Sequence, residues 1–217
     1  DGVVALGTDA ESGAIISQHS EADRFVMAML RACADAVIVG AGTFRKAPGH
    51  LWSAESIFPD AAPLLSEART QLGLTPRPLV VIVTRSGAID PNHPALPDAM
   101  IATSPAGATV LRDSMPKSTR IIAYEGDDVV TQLVTQLRAE HMPNLLTEGG
   151  PSLFAELIAA KLLDELFITS SPILFGRYDN DGRKSLANGL DLAGQTFELL
   201  SLRRHASHLF LRYAVTR

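Results

Sequence analysis

Apolar and polar positions along the chain follow two alternating patterns, one typical of buried strands and one typical of amphipathic helices. The continuous apolar run at 36–39 is expected of a central parallel strand covered on both faces, and the apolar run at 79–83 is the clearest strand pattern in the chain. Because strand and helix patterns alternate in order, they predict an α/β sheet with right-handed crossovers. Strands are predicted over 1–6, 13–17, 36–39, 79–83, 100–103, 121–124, 145–146 and 166–171, and helices over 20–34, 63–72, 105–112, 128–140 and from 151 onward.

Two of the predicted helices carry additional signals. The helix over 20–34 has Ser20 as a candidate N-cap, because Asp23 follows three residues later. Its apolar residues recur at helical spacing at Phe25, Met29, Leu30 and Cys33, and we interpret Cys33 as a core residue. The helix over 128–140 is amphipathic, and one of its faces carries Val130, Leu133, Val134 and Leu137.

The pattern changes near the end of the chain. Residues 177–188 are polar and contain glycine, which predicts an exposed loop. The runs 197–203 and 208–215 are extended, and they predict an antiparallel hairpin added to a mainly parallel sheet. Apolar residues of this hairpin either pack on the protein's own helices or meet a second subunit. They are Leu199, Leu200, Leu209, Phe210 and Leu211.

The stretch 145–157, LLTEGGPSLFAEL, combines a strand, a tight turn and the start of a helix. Gly149 and Gly150 permit backbone conformations closed to residues with a Cβ, and they let a ligand approach the main chain. Pro151 suits the first helical turn, and the free N–H groups after it form an anion site for which phosphate is the expected ligand. Glu148 lies at the carboxyl end of the strand, where open α/β sheets bind ligands. The alternative is a simple turn with Glu148 as a solvated loop acid.

Two further predicted strands end in glycine or small polar residues. One is followed by GAGT at 40–43 and the other by TRSG at 84–87. If neighbouring strands bring these loops and EGGP at 148–151 to one edge of a sheet, they form a long cleft suited to a dinucleotide. The fingerprint G-x-G-x-x-G would need glycine at position 45, where this chain has Arg45, so a standard Rossmann crossover is disfavoured.

Composition argues for one folded domain and against two classes of partner. The 217 residues, 46% hydrophobic and 20% charged, suffice for a single domain predicted to span 1–217. A net charge of −5 without a long basic run argues against nucleic acid, and no apolar run approaches the roughly 18 residues of a membrane span. The single cysteine excludes an internal disulfide and fits a reducing compartment, so a cytoplasmic location is predicted. Because the sequence begins at Asp1 within a strand-like run, we expect an N-terminal piece to precede it.

Several familiar catalytic motifs are missing from the sequence. No histidine pair forms H-E-x-x-H, and His205 and His208, three apart on a predicted strand, are expected on opposite faces, so no metal site is predicted. There is no G-x-S-x-G elbow, and GRYDNDGRKS at 176–185 lacks P-loop spacing. The only tryptophan, Trp52, lies in an irregular stretch and is interpreted as a packing plug rather than a pocket wall.

Five segments together resemble the reductase domain of riboflavin biosynthesis, which is the C-terminal domain of the bifunctional deaminase-reductase. They are Asp1-Gly2, ADAVIVGAGTFR at 34–45, VVIVTRSG at 80–87, LLTEGGPSL at 145–153 and LDELFITSSPILFG at 163–176. The resemblance implies a dihydrofolate-reductase-like α/β fold, with a mainly parallel central sheet flanked by helices and a C-terminal antiparallel hairpin. It also implies that a homodimer reduces a ribosylaminopyrimidine phosphate with NADPH.

The same resemblance assigns roles to residues at the three strand ends. Gly40, Gly42 and Thr43 would contact NADPH, Thr84, Arg85 and Ser86 would lie near its 2′-phosphate, and Gly149, Gly150, Ser152 and Leu153 would lie along its pyrophosphate. Asp1 and Glu148 would face the reducible substrate as catalytic residues. The guanidinium of Arg85 suits a phosphate, and the alternative is a solvated loop arginine. Glu148 would either orient substrate donors or relay a proton.

Two features depart from the family pattern. The deaminase half is absent from this sequence, and RKAPGH at 45–50 replaces the acid-rich D-D-P segment that helps to hold substrate in the riboflavin enzymes. The expected reaction is therefore hydride transfer to a pyrimidine- or pterin-type metabolite, as in 5-amino-6-(5-phosphoribosylamino)uracil reductase. The alternatives are an NADPH reductase of another small carbonyl or imine, and a nucleotide-binding protein without chemistry.

Overall fold

A computed structural model describes residues 2–7, 12–176 and 182–216. The strands in this part of the chain are β1 (Val3–Leu6), β2 (Ala36–Gly40), β3 (Leu79–Val83), β4 (Met100–Thr103), β5 (Arg120–Ala123), β6 (Leu145–Gly149), β7 (Glu165–Ser170), β8 (Arg183–Ser185), β9 (Phe197–His205) and β10 (His208–Val215). The helices are α1 (Ser12–Ile16), α2 (Glu21–Ala32), α3 (Ala41–Arg45), α4 (Ala54–Ile57), α5 (Ala62–Gln71), α6 (Pro105–Leu111), α7 (Val129–Ala139) and α8 (Pro151–Ala159). Among the described residues, no helix has both the length and the apolar character needed to cross a membrane.

The central sheet contains five parallel strands in the order β5-β4-β3-β2-β6. The chain adds β3, β4 and β5 successively on one side of β2, and then returns to place β6 on the other side. Strand order therefore reverses between β2 and β6. In open α/β sheets such a switch point leaves a crevice at the carboxyl ends of the two strands, which is where ligands bind.

Both faces of this sheet are covered, so its strands are apolar throughout. Alternate residues of β2 point to opposite faces: Ile38 packs with α7 and α8, whereas Val37 and Val39 pack with α3 and the chain before β4. The amphipathic face predicted for α7 is confirmed, since all four of its apolar residues are buried. The mainly parallel α/β fold predicted from the sequence is likewise confirmed.

The C-terminal hairpin does not extend the central sheet, and this part of the prediction is wrong. β9 and β10 pair as predicted, but β10 also pairs with β7, giving a separate antiparallel sheet in the order β7-β10-β9. One face of β7 and β10 packs on α8 through Leu166 and Tyr213. His205 and His208 are direct partners across the hairpin rather than neighbours on one strand, so the expectation of opposite faces is also wrong.

Two short segments differ from their predicted conformations. Residues 12–16 form helix α1 instead of a strand, because a short apolar run fits either period and packing against β1 decides between them. The Ser12 hydroxyl also accepts a hydrogen bond from the backbone N–H of Leu6, at 3.0 Å. In the predicted loop 177–188, residues 183–185 form β8, which pairs antiparallel with β1. Residues 177–181 of that loop lie outside the described residues.

Helix α2 turns a different face to the core than its apolar spacing indicates. Its Ser20 cap is confirmed, since the Ser20 hydroxyl accepts from the Asp23 N–H. The residues it buries are two alanines and Arg31, whereas Phe25 and Met29 are exposed. Cys33 follows the last helical turn and is exposed, so its prediction as a core residue is wrong.

Candidate active site

Three loops rich in glycine and small polar residues lie side by side along the carboxyl edge of the central sheet. The strand register places Gly40 of β2 beside Val83 of β3, and Val39 beside Gly149 of β6. The segments GAGT, TRSG and EGGP therefore emerge from three adjacent strands. The predicted convergence at one sheet edge is confirmed, and it coincides with the switch point between β2 and β6.

The paired glycines have the backbone conformation that the sequence predicted. Gly149 and Gly150 have φ values of 65° and 84°, in the left-handed region that disfavours other residues. A Cβ at Gly150 would lie 3.1 Å from the hydroxyl oxygen of Thr43, whereas one at Gly149 would meet open space. The Thr43 hydroxyl also donates to the Gly149 carbonyl at 3.3 Å. The turn after β6 is thus fixed against α3 and open on its outer side.

Helix α8 begins directly after these glycines. Pro151 occupies its first turn, and the first backbone hydrogen bond runs from the Phe154 N–H to the Gly150 carbonyl, at 3.0 Å. Within the described residues, the N–H groups of Ser152 and Leu153 have no partner. Two free N–H groups at a helix N-terminus attract an anion. The Leu153 side chain is buried in the core, so only its backbone is available to a ligand.

The GAGT segment after β2 is the first turn of a helix rather than an open loop. Gly40 precedes α3 in an extended conformation, and Phe44 anchors the helix in the core. Gly42 is exposed, and a Cβ added there would meet no atom within 4 Å. The loop expected at GAGT is therefore corrected to a short helix whose exposed glycine leaves room over the backbone.

The TRSG loop after β3 is fixed to α6 while its charged side chain remains free. Thr84 is buried, and its hydroxyl accepts from the Gly87 N–H at 3.2 Å. The carbonyl of Arg85 accepts from the Ser104 hydroxyl at 2.8 Å. Arg85 and Ser86 are exposed, and the Arg85 guanidinium has no partner among the described residues. A rigid loop therefore presents an unpaired cation at the sheet edge.

Glu148 is a buried member of an ion pair and not a solvated loop acid. The Arg31 Nε donates to Glu148 Oε1 at 2.5 Å and Nη2 donates to Oε2 at 2.6 Å. The two side chains are only 2% and 8% exposed, respectively. The Arg31 Nη1 also donates to the Ser53 carbonyl at 3.1 Å. The pairing is bidentate, which is the strongest and most directional form of this contact.

His50 is the third group that the Arg31 side chain contacts. Its Nε2 lies 2.7 Å from Arg31 Nη2, and its ring lies edge-on to Trp52 at 4.8 Å. Burial, followed by the charges of Arg31 and His93, lowers the pKa of His50 to about 4. The imidazole is therefore neutral at pH 7. Trp52 is buried and stacks on Phe44, which confirms its interpretation as a packing plug.

Sequence reasoning missed Arg31 and His50 and kept only Glu148. A signal for Arg31 was present, because it occupies the same helical face as Ala28 and Ala32, where an unpaired charge would be costly. His50 carried no such signal, since the segment 47–53 has no periodicity.

Two other expectations concern groups outside this cluster. Asp1, the second predicted catalytic residue, lies outside the described residues. In the ranges that the structure describes, no three metal-binding side chains come together. Two cavities of about 340 and 390 Å³ occur elsewhere, one beside Lys161 and the other between Phe44 and Ile89, and neither is lined by Glu148 or the paired glycines.

Comparison with known proteins identifies relatives of this arrangement. The sequence matches the family described as RibD C-terminal domain over residues 1–209. It is 28% identical over 166 residues to the 2,5-diamino-6-ribosylamino-4(3H)-pyrimidinone 5′-phosphate reductase of Archaeoglobus fulgidus, covering 74% of this chain and 72% of that protein.

Solved structures share the fold at lower sequence identity. A pyrimidine reductase-like protein from Corynebacterium diphtheriae superposes with a TM-score of 0.74 at 22% identity, over 91% of this chain and 82% of the other. RibD from Acinetobacter baumannii gives a TM-score of 0.72 at 21% identity, over 100% of this chain and 55% of that one. The resemblance inferred from the five sequence segments is confirmed, and the chain belongs to the RibD C-terminal domain family.

Proposed function

We propose that this protein is an NADPH-dependent reductase that transfers hydride to a pyrimidine- or pterin-type metabolite. The pyrimidine-type metabolites include the ribosylaminopyrimidinone phosphate for which the Archaeoglobus fulgidus relative is named. Membership of the RibD C-terminal domain family supports the reductase assignment. The observation that carries it for this chain is a buried carboxylate, Glu148, placed directly before a pair of glycines of which Gly149 is open to a ligand.

The residues at the sheet edge fit the phosphates of a dinucleotide. The free N–H groups of Ser152 and Leu153 and the open backbone at Gly149 suit the pyrophosphate. The exposed Arg85, with Ser86 beside it, suits a 2′-phosphate, which only NADPH carries. Gly40 at the end of β2, and Gly42 and Thr43 in α3, lie between these two loops and would contact the middle of the cofactor. When bound, NADPH supplies a hydride and its two electrons.

In this scheme the protein's own residues bind the substrate and orient it. The substrate would lie beside the β2–β6 switch point with an electrophilic carbon next to the nicotinamide. Hydride adds to that carbon, the displaced electron pair moves to the attached nitrogen or oxygen, and this atom takes up one proton. Glu148 holds the ring so that the reacting carbons meet, and positioning of this kind supplies much of the rate. Asp1 is proposed to face the same substrate.

A direct assay separates this function from its alternatives. Purified protein is mixed with NADPH and the ribosylaminopyrimidinone phosphate, with dihydropterin and dihydrofolate, or with a panel of small carbonyls and imines, and NADPH absorbance is followed. Consumption with a pyrimidine or pterin supports the proposal. Consumption only with unrelated acceptors would favour a different small-molecule reductase, and NADPH binding without any turnover would favour a nucleotide-binding protein.

We also propose that the whole chain, 1–217, forms one reductase domain that assembles as a homodimer in the cytoplasm. The sheet register places Leu199, Leu202 and Leu209 on one face of the antiparallel sheet, and these leucines are 50%, 47% and 37% exposed. The part of this face near α8 is covered by the protein itself, which leaves these leucines to a partner subunit. The lone cysteine fits a reducing compartment.

A further inference from the structure

The Arg31 guanidinium donates four of its five N–H groups to partners around Glu148. Its donors reach both oxygens of Glu148, the carbonyl of Ser53 and the Nε2 atom of His50, at distances between 2.5 and 3.1 Å. The side chain is 2% exposed, so water does not compete for these donors. Because arginine has no acceptor atom, every partner must accept.

This requirement fixes the chemical state of Glu148. Both carboxylate oxygens accept from Arg31, and protonation of Glu148 would leave this buried cation without its counterion. Each oxygen still has a second lone pair. Glu148 is therefore equipped to accept hydrogen bonds from ring or amino N–H groups of a substrate.

The same requirement fixes the tautomer of His50. Its Nε2 accepts from Arg31, so the ring proton is on Nδ1 and the imidazole is neutral. A second proton would sit on Nε2 and face the guanidinium at 2.7 Å. His50 belongs to the segment that departs from the family's acid-rich pattern, and its contact with Arg31 links that segment to Glu148.

We propose that Arg31 is a positioning residue that holds Glu148 as an ionised acceptor for substrate N–H groups, so that Glu148 orients the substrate but does not deliver the proton. This inference rests on the proposed reductase function. The proton that accompanies the hydride then comes from water. Substrates are selected for N–H donors beside the reducible group, as pyrimidines and pterins have, while simple aldehydes lack them.

The first experiment compares two buried arginines that differ in their contact with Glu148. Arg31→Lys keeps the charge but cannot reach two carboxylate oxygens and His50 together. Arg69→Lys is the matched control, because Arg69 is equally buried but binds the carbonyls of Arg31, Ala32 and Ala34. We expect kcat to fall about 10- to 100-fold in Arg31→Lys, with NADPH affinity within about threefold of wild type, because misplacement by about 1 Å costs this much. Arg69→Lys should keep kcat within about threefold.

The second experiment asks whether Glu148 delivers the proton. Glu148→Gln should lower kcat about 100-fold while the pH profile of kcat keeps its wild-type shape. If Glu148 delivers the proton, one limb of the wild-type profile disappears in this variant, and the proposal is overturned. An Arg31→Lys variant with wild-type kcat would overturn it as well.

The third experiment needs no turnover and no cofactor. Nitrogen-15 NMR of the free protein should show His50 as the Nδ1–H tautomer in the wild type and in Arg69→Lys, and as a mixture of tautomers in Arg31→Lys. An Nε2–H tautomer in the wild type contradicts the inference even if the protein proves to be a reductase. Conversely, a protein that consumes no NADPH with any acceptor but shows the expected tautomers would refute the proposed function and leave the network in place.

Discussion

Replacing Arg85 with alanine should weaken the binding of NADPH but not that of NADH, without changing the fold. The Arg85 side chain is exposed and makes no hydrogen bond or ion pair within the described residues, so its loss should alter the free energy of unfolding by no more than about 0.5 kcal/mol. Its loop stays in place, because the Ser104 hydroxyl binds the backbone carbonyl, which the substitution keeps. The effect should therefore appear only when a 2′-phosphate is present.

The expected size follows from one charge-assisted contact. Hydrogen bonds to a charged group contribute about 1.5–3 kcal/mol, which corresponds to a loss of about 10- to 100-fold in NADPH affinity. NADH has no 2′-phosphate, so its dissociation constant should be unchanged. Titration of nicotinamide fluorescence with both cofactors, on wild type and Arg85→Ala, measures the four constants needed.

Arg45→Ala provides the matched control for this measurement. Arg45 is also an exposed arginine at this sheet edge, but its guanidinium donates to the Ala88 carbonyl at 3.0 Å. We expect it to change NADPH affinity less than threefold. Equal losses for the two cofactors in Arg85→Ala, or equal losses in the two variants, would refute the assignment of Arg85 to the 2′-phosphate and leave only a general effect of positive charge.

Three further outcomes are expected. Gly150→Ala should weaken NADPH binding about tenfold, because its φ of 84° strains alanine by about 1–2 kcal/mol and the new Cβ would crowd Thr43. Gly126→Ala, at a φ of 75° in open space, is the control. Equal NADPH affinity of the two variants would contradict this prediction. Urea unfolding should show stability falling as the pH drops from about 6.5 to about 4, because the folded protein, with a pKa of about 4 at His50, takes up this proton later than the unfolded chain. The full pKa difference at His50 corresponds to about 3.4 kcal/mol in the free energy of unfolding, and we expect about half of this because the ring is partly exposed. An unchanged dependence of stability on pH in His50→Gln would exclude His50 as the cause. Light scattering should give a dimer for the wild type and a monomer for the double variant Leu199→Glu and Leu202→Glu. A monomeric wild type would contradict the proposed interface.

The sequence was most informative where local pattern and tertiary packing agree. The apolar face of α7 and the runs of β2 and β3 were predicted correctly, because each is repeated over several residues and buried by neighbours on the expected side. The paired glycines were equally readable, since their positive φ is a local property of the chain. These features place the switch point and therefore the site.

The sequence was least informative where the decisive partner is distant. Helix α2 buries Arg31 instead of Phe25 because Glu148, 117 residues later, supplies the counterion. The hairpin lies in a separate sheet because β10 also pairs with β7, and no spacing within 197–215 indicates this second partner. His50 lies in an aperiodic segment, and only the folded structure shows that it meets Arg31.

The return of β6 to the far side of β2 also determines when the site exists during synthesis. A ribosome has already synthesised β2, β3, β4 and β5, together with the helix that carries Arg31, before it makes the strand that carries Glu148. Up to that moment one edge of β2 is unpaired and the guanidinium has no counterion, so a nascent chain of this length exposes an adhesive edge. Docking of β6 closes the edge, neutralises the charge and completes the cleft in one event. We therefore expect chaperones and proteases to recognise a truncated chain that stops before residue 145, even if β2, β3, β4 and β5 have formed.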